Sequence, residues 1–424
     1  MKDSIKNLGL NSAKHLQLRQ KKSFSRKTFA LDLRFLILLS VLISFQKINA
    51  DIFYSEKYGY YMDLPEAYTL TELEEDETSI FFTHDFLPLS FAVKIYESFS
   101  SIEKNEENSK KTTESILKKV LTQIKSPSET ASVIWNEKNC AVASLSFSLG
   151  NIKNTGYAAA IPLAKNNSTA VLLCYTPQEY WNALNSAVTS TIDSFMPDRK
   201  SFMQPGIITT LAYPETYRKK IQLTTGGKNI TTEVDAEAGE AANFVVNREY
   251  NLLLNYATHP LGKQAFCRYY RMIYKDSYSR LNQVAKDLYR QLFPEAIKKN
   301  AENPEHEYIQ MLLNWVQNFE YERTPSSTDF TDLISAITSK GSDCDTRSML
   351  LCILAKQAGI NSAFFLSTEY SHAIAGFDIE GSGARLKGNS TDFLLGETTA
   401  KNLNLGLINQ DMADSSKWTY IELP

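Results

Sequence analysis

The chain has 424 residues, a length that predicts two or three domains. Its apolar content of 43% supports packed cores and excludes a chain disordered by composition. The first 50 residues hold ten Lys/Arg and two Asp/Glu. Residues 51–424 therefore carry 35 basic against 46 acidic side chains, a formal charge of −11 that speaks against nucleic acid as a partner.

Up to Arg34 there are nine Lys/Arg against Asp3 and Asp32, followed by the apolar run from Phe35 to Phe45 and then by Gln46–Ala50. A basic stretch, an apolar stretch of about 11 residues and a small residue at the end describe a secretory signal cut near Ala50. A membrane-spanning helix wants about 20 apolar residues, so cleavage is the first expectation. Retention of residues 1–50 as an N-terminal anchor, with envelope association, is the second. Either way the rest of the chain is expected in the periplasm or outside the cell.

From Asp51 the chain reads as short strands: the aromatic stretch through Tyr61, then Ser79–Thr83 and Leu89–Tyr96. Ser109–Ile124 is amphipathic, with Ile116, Leu117, Val120 and Leu121 on one side, and predicts a helix. Further strands are expected at Ala131–Trp135, Cys140–Ser148, Gly156–Pro162 and Ser168–Tyr175, with Asn151–Gly156 among the separating turns. Tyr180–Phe195 closes as a helix. An antiparallel sheet with flanking helices within residues 51–198 makes one α+β domain. Its opening Tyr58-Gly-Tyr-Tyr-Met-Asp-Leu-Pro65 and closing Ser190-Thr-Ile-Asp-Ser-Phe195 resemble the PsbP-like fold, and the resemblance brings no catalytic residues with it.

Residues 199–220, polar and Pro-bearing, read as a linker. Residues 221–424 read as a second domain. Ile221–Val234 suggests a hairpin around Thr225-Gly-Gly-Lys228. Helical periodicity follows at Ala236–Tyr256, Gln264–Tyr274 and Ser277–Leu292, the last broken at Pro294. No repeat of fixed period is present, and no motif sets an oligomeric state.

The run Lys340–Ile360 carries the chemistry. Ser342 or Asp343 can cap a helix there, since a side-chain oxygen accepts an orphan backbone N–H. Met349, Leu350, Ile353 and Leu354 give its buried face, with Cys352 among them, and Gly359 ends it. Cys344 then sits in the first turn, where the helix dipole favours a thiolate. Asp343 and Asp345 oppose that ionisation, so a base is needed. The histidines are His15, His84, His259, His306 and His372, and His372 alone lies downstream of the cysteine, in a strand-like run. Asp392–Thr399 is another short strand, ending near Glu397. A nucleophile at a helix start, then a His and an acid on successive strands, follows the logic of a Cys-His-acid triad: Cys344 attacks, His372 moves protons, Glu397 orients the ring. Asp392 and Asp378 stand in reserve as the acid. The five cysteines are Cys140, Cys174, Cys267, Cys344 and Cys352, an odd number with no CxxC and no metal-ligand spacing, so neither metal nor cofactor is expected. A strand between Cys140 and Cys174 would keep them too far apart for a disulfide.

These words and their order resemble the transglutaminase-like branch of the papain-type cysteine enzymes. That family shows Gly-x-Cys-x-Asp at a helix start, a His-aromatic strand and then Asp-x-Thr. Leu313–Tyr321 is similar to the family's helix ahead of the cysteine. The resemblance covers about the last 120 residues well and the preceding 100 weakly. An extra residue separates Gly341 from Cys344, Ile374 stands where an aromatic is usual, and the acid is Glu397 rather than Asp. It implies a papain-like α+β domain and a protein or peptide substrate. It also implies Gln317 or Trp315 as a second oxyanion donor. Thiol attack on a carboxamide or peptide carbonyl would make a peptidase or amidase with water, and a transferase with an amine. A catalytically inactive envelope scaffold or binding protein is the competing expectation.

Overall fold

The computed structural model describes residues 52–97, 106–322, 328, 330–339 and 341–423, with side chains from residue 112 onward in the helix that opens at Glu106. The signal or anchor read at residues 1–50 lies outside them. Among the described residues no helix is long and apolar enough to cross a membrane. The chain is mixed α+β and divides into two compact units between Arg199 and Lys200.

The first unit contains β1 (Phe53–Tyr54), β2 (Tyr61–Met62), β3 (Tyr68–Leu73), β4 (Ser79–His84) and β5 (Ser90–Glu97). Then come α1 (Glu106–Gln123), β6 (Thr130–Trp135), β7 (Lys138–Leu149), β8 (Ile152–Pro162), β9 (Ser168–Pro177), α2 (Trp181–Asp193) and β10 (Phe195–Met196). Seven strands form one antiparallel sheet in the order β3-β4-β5-β9-β8-β7-β6, while β1, β2 and β10 make a small second one. Alternation puts successive side chains on opposite faces. Leu117, Val120 and Leu121 of α1 pack on Ala143, Leu145, Ala158, Ala160 and Val171. On the other face Cys174 meets Tyr68, whose hydroxyl lies 3.2 Å from Thr191 of α2. The stretch Asn151–Gly156, expected as a turn, is mostly strand. Gly150 at φ 58° reverses the chain within two residues, so Lys153 and Asn154 already pair with Ser148 and Phe147. Because β8 lies between β7 and β9, and Cys174 is offset along β9 from the position level with Cys140, the two lie more than two strand spacings apart, and both are free thiols.

The second unit opens earlier than the sequence suggests. Within the expected linker 199–220, α3 (Ile207–Ala212) buries Ile207, Ile208, Leu211 and Ala212, and Thr209 accepts a hydrogen bond from Arg248 Nη1 at 3.1 Å. Four apolar residues in six give this piece a core of its own, which a polar count of the whole segment hides. The hairpin β11 (Arg218–Thr225) and β12 (Lys228–Asp235) turns at Gly226 and Gly227, both with positive φ. The helices α4 (Ala238–Leu253), α5 (Gly262–Arg280), α6 (Asn282–Lys299) and α7 (Pro304–Val316) follow. In α5 the expected gap at Lys275–Asp276 is closed, since Asp276 and Arg280 pair at 2.8 Å one turn apart. Helix α6 runs through Pro294 instead of breaking there. The proline faces solvent, as does Arg290, whose carbonyl loses its helical partner, and Lys228 Nζ donates to the next carbonyl, that of Gln291.

After β13 (Glu320–Tyr321), α8 (Leu333–Ser339) and β14 (Gly341–Ser342) comes α9 (Cys344–Gln357). The strands β15 (Ser362–Ser367), β16 (His372–Phe377), β17 (Arg385–Lys387), β18 (Asp392–Gly396) and β19 (Thr419–Ile421) form an antiparallel sheet in the order β17-β18-β16-β15-β19. Phe364, Ala373, Ala375, Phe377 and Leu394 turn one face of this sheet to the helices, where α9 lies. Phe365, Ile374, Phe393 and Leu395 pack on the opposite face with Trp418 and Tyr420. Helix α9 was expected to bury one side, but it is buried from Cys344 through Ala355 except at Asp345. It is a central helix, covered by the sheet and by its neighbouring helices.

Candidate active site

Helix α9 fixes the cysteine through its first turn. Asp343, extended at φ −96°, is the N-cap, and its Oδ1 accepts the Thr346 N–H at 2.9 Å. Cys344 is thereby the first residue of the helix, and it is 2% exposed. Among the described residues two polar groups face the sulfur. The Ala373 backbone N–H points at it from β16, and Asp345 Oδ1 lies 3.2 Å away as the acceptor of its S–H. Burial, then the carboxylates of Asp345 and Asp343, push the thiol far above its ordinary range, against the pull of the Ala373 amide. Burial and the two carboxylates thus favour the neutral thiol.

His372 opens β16, and Glu397 follows the last residue of β18, which pairs with β16. The two side chains meet: His372 Nε2 and Glu397 Oε2 are 2.8 Å apart, at 8% and 4% exposure. The other carboxylate oxygen accepts the Thr399 N–H at 2.8 Å and the Thr399 hydroxyl at 2.6 Å. Burial opposes charge on Glu397, yet the hydrogen bonds from His372 and Thr399 outweigh it and hold the carboxyl below its usual value. Trp418 meets the imidazole edge-on at 6.2 Å, and Tyr370 packs on Trp418. Nε2 being engaged, Nδ1 is the nitrogen left for a nucleophile.

Of the three acids considered, Glu397 is the one bonded to His372. Asp392 is exposed, and Asp378 accepts from Thr391 at 3.2 Å. The sulfur and the ring are not bonded to each other among the described residues. Sγ approaches β16 from the helix side at Ala373, the imidazole leans toward Trp418, and no hydrogen bond joins them among the described residues.

Gln317 needs correction. Its Nε2 donates to the Glu397 carbonyl at 2.8 Å and the Leu403 carbonyl at 3.0 Å, so both amide hydrogens are used. It braces the backbone behind Glu397 and aims no donor at an oxyanion. Trp315 is buried against Phe319 and likewise belongs to the core. Among the described residues no group of three His, Cys, Asp or Glu is arranged to hold a metal ion.

No family model matches the chain, and no curated protein matches it. Among solved structures, part of the chain has a PsbP- and Mog1-like fold resemblance. Cyanobacterial PsbP from Synechocystis sp. PCC 6803 matches at 12% identity and a TM-score of 0.28, over 34% of this chain and 90% of that one. The Saccharomyces cerevisiae Ran-binding protein Mog1p matches at 11% identity and a TM-score of 0.26, over 36% and 97%. A protein from Bacteroides thetaiotaomicron spans more, 78% of this chain and 87% of its own, at 10% identity and a TM-score of 0.24. These are likenesses of fold alone.

Two contributors were not foreseen from the sequence. Arg347, one turn into α9, is 1% exposed and sits at the junction of three segments. Its guanidinium donates to the Ser342 hydroxyl (3.0 Å), the Phe319 carbonyl (2.8 Å) and the Thr398 carbonyl (3.2 Å). It thus ties the residues before Cys344 to the residue after Glu397. Nothing in the sequence sets it apart from a surface arginine. Tyr270 of α5, whose hydroxyl donates to Asp345 Oδ2, lies 75 residues upstream, and no local pattern marks it.

Proposed function

We propose that the second unit is a transglutaminase-like cysteine acyl-transfer enzyme with Cys344, His372 and Glu397 as its triad. The observation that carries this reading is the buried His372–Glu397 pair, with Nδ1 unspent, one residue along β16 from the amide that faces the Cys344 sulfur. Substrate binding would bring the S–H proton to His372 Nδ1 while the sulfur's electron pair attacks a carboxamide or peptide carbonyl. The imidazolium formed is stabilised by Glu397 across Nε2. Collapse of the tetrahedral adduct breaks the C–N bond, and the amine leaves with the proton from His372. A thioester remains. Water, deprotonated by the same imidazole, then frees the acid and the thiol, which makes the protein a peptidase or amidase. An amine in place of water would make it a transferase. The Cys344 backbone N–H, first in its helix, is the candidate oxyanion donor in place of Gln317.

A second reading has its own observation. A buried thiol bonded to Asp345, with no bond to His372, suits an inactive domain that serves as a scaffold or binding module in the cell envelope. The readings part on one experiment. The full chain, incubated with a complex peptide mixture and followed by mass spectrometry, should cleave a defined subset of bonds. Cys344→Ala should abolish cleavage, and His372→Ala should slow it by about 10²–10⁴-fold. Cleavage that survives Cys344→Ala, or a mixture left intact by the wild type, would favour the scaffold.

A further inference from the structure

We infer that Asp345 and Tyr270 act as a brake on the nucleophile: Asp345 takes the Cys344 S–H that His372 would otherwise receive, and Tyr270 holds Asp345 in place to do so. The inference borrows from the proposed chemistry only the identity of the thiol.

The geometry is a chain of three groups. Cys344 Sγ donates to Asp345 Oδ1 at 3.2 Å, and the Tyr270 hydroxyl donates to Asp345 Oδ2. Tyr270 is 2% exposed and cannot swing away, being wedged against Phe364 at 4.9 Å and Tyr269 at 4.9 Å. Asp345 follows the cysteine directly, and its side chain is half-buried. The anchor comes from α5, a different helix, which is what separates a brake from a chance neighbour.

The charged and titratable groups on the elements around Cys344 are of both signs. Asp343 and Asp345 stand on its own helix, and Arg347 is one turn on, committed to carbonyls. Tyr269 and Tyr270 come from α5, Asp332 from the approach to α8, and His372 and Glu397 from β16 and the end of β18. Of these, Asp345 is the group that accepts the sulfur's proton, while Asp343 spends Oδ1 on the helix cap. A carboxylate beside a thiol favours the neutral form.

Alkylation of Cys344 by iodoacetamide in the full chain, site by site in a mass spectrometer, tests this. Asp345→Asn removes the charge and keeps the shape. If the thiol pKa falls by one unit, about ten times more thiolate forms, and the lower basicity returns about a factor of three. Cys344 should therefore label about threefold faster at pH 7, with its pH midpoint moved down. Tyr270→Phe should give a smaller gain in the same direction, and none in the Asp345→Asn background, because it acts through Asp345. Cys352, at 0% exposure, reports whether the core has opened. Should it label in Asp345→Asn, Asp345→Ser carries the same expectation. Labelling at or below the wild-type rate in the charge-free variant, or independent gains from the two changes, would overturn the brake. Faster labelling in a protein that cleaves no peptide would sink the enzymatic reading alone. Unchanged labelling in a peptide-cleaving protein would sink this one alone.

Discussion

A carboxylate with both oxygens bonded titrates differently from a solvated one, and Glu397 is of the first kind. His372 and the two Thr399 donors favour its charged form, and its pKa lies below the ordinary carboxylate value in the folded chain. A depressed value means stability that is fully present above the unfolded carboxyl's pKa, near 4.3, and lost as pH falls below it. The melting temperature of the wild type should thus drop more between pH 6 and pH 3 than that of Glu397→Gln, which has no such proton to take up. At pH 7 the same substitution should cost about 1–3 kcal/mol, because it sets an amide against donors that need an acceptor. Equal slopes in the two proteins would remove the charge from the account. At this scale Asp343 was legible, since an acid before an apolar helical run has one common use. Arg347 was not, because a buried cation satisfied by carbonyls looks, in sequence, like any surface arginine.

Elements are held to each other by close contacts that leave no room for a methyl group. Gly376 lies in β16 four residues past His372, and a Cβ there would sit 2.7 Å from Phe365 Cε2 and 2.7 Å from Phe393 Cβ. Gly376→Ala should cost about 1–3 kcal/mol and shift β16 against β15 and β18. It should slow Cys344 chemistry although it touches neither sulfur nor imidazole. Chemical denaturation read beside alkylation checks both halves, and a stable variant with unchanged labelling would show that the strand's position is not critical. Gly156→Ala in β8 meets backbone instead, at the Cys174 carbonyl oxygen. It should be the more damaging of the two because a carbonyl cannot rotate aside. Strand alternation and the Gly-Gly turn made β4, β5, β9, β11 and β12 readable. Helix α6 was misread at Pro294 because the rule against proline assumes that the freed carbonyl is starved, and here it belongs to Arg290, on the exposed side of the helix.

For the whole molecule, length predicts two or three domains and the order of strands and helices predicts α+β parts; the chain divides into two compact units at Arg199/Lys200. The segment just after that boundary misled the reading, since α3 is too short for periodicity to rise above a polar background. In the second unit the sequence placed a cysteine at a helix start, a histidine on a strand and an acid at the end of the next. It could not show on which side of β16 the imidazole leans, nor that Asp345 would hold the sulfur's proton. Those depend on α5 and on Trp418, both far along the chain.

The central claim is that His372 governs the reactivity of Cys344. The most direct measurement is the pH dependence of Cys344 alkylation in the full chain, compared with His372→Ala. The account predicts labelling about tenfold or more slower at pH 7 in the variant, with the high-pH arm of a simple buried thiol remaining. Superimposable profiles would mean that the sulfur does not sense the ring, and the triad would be contradicted.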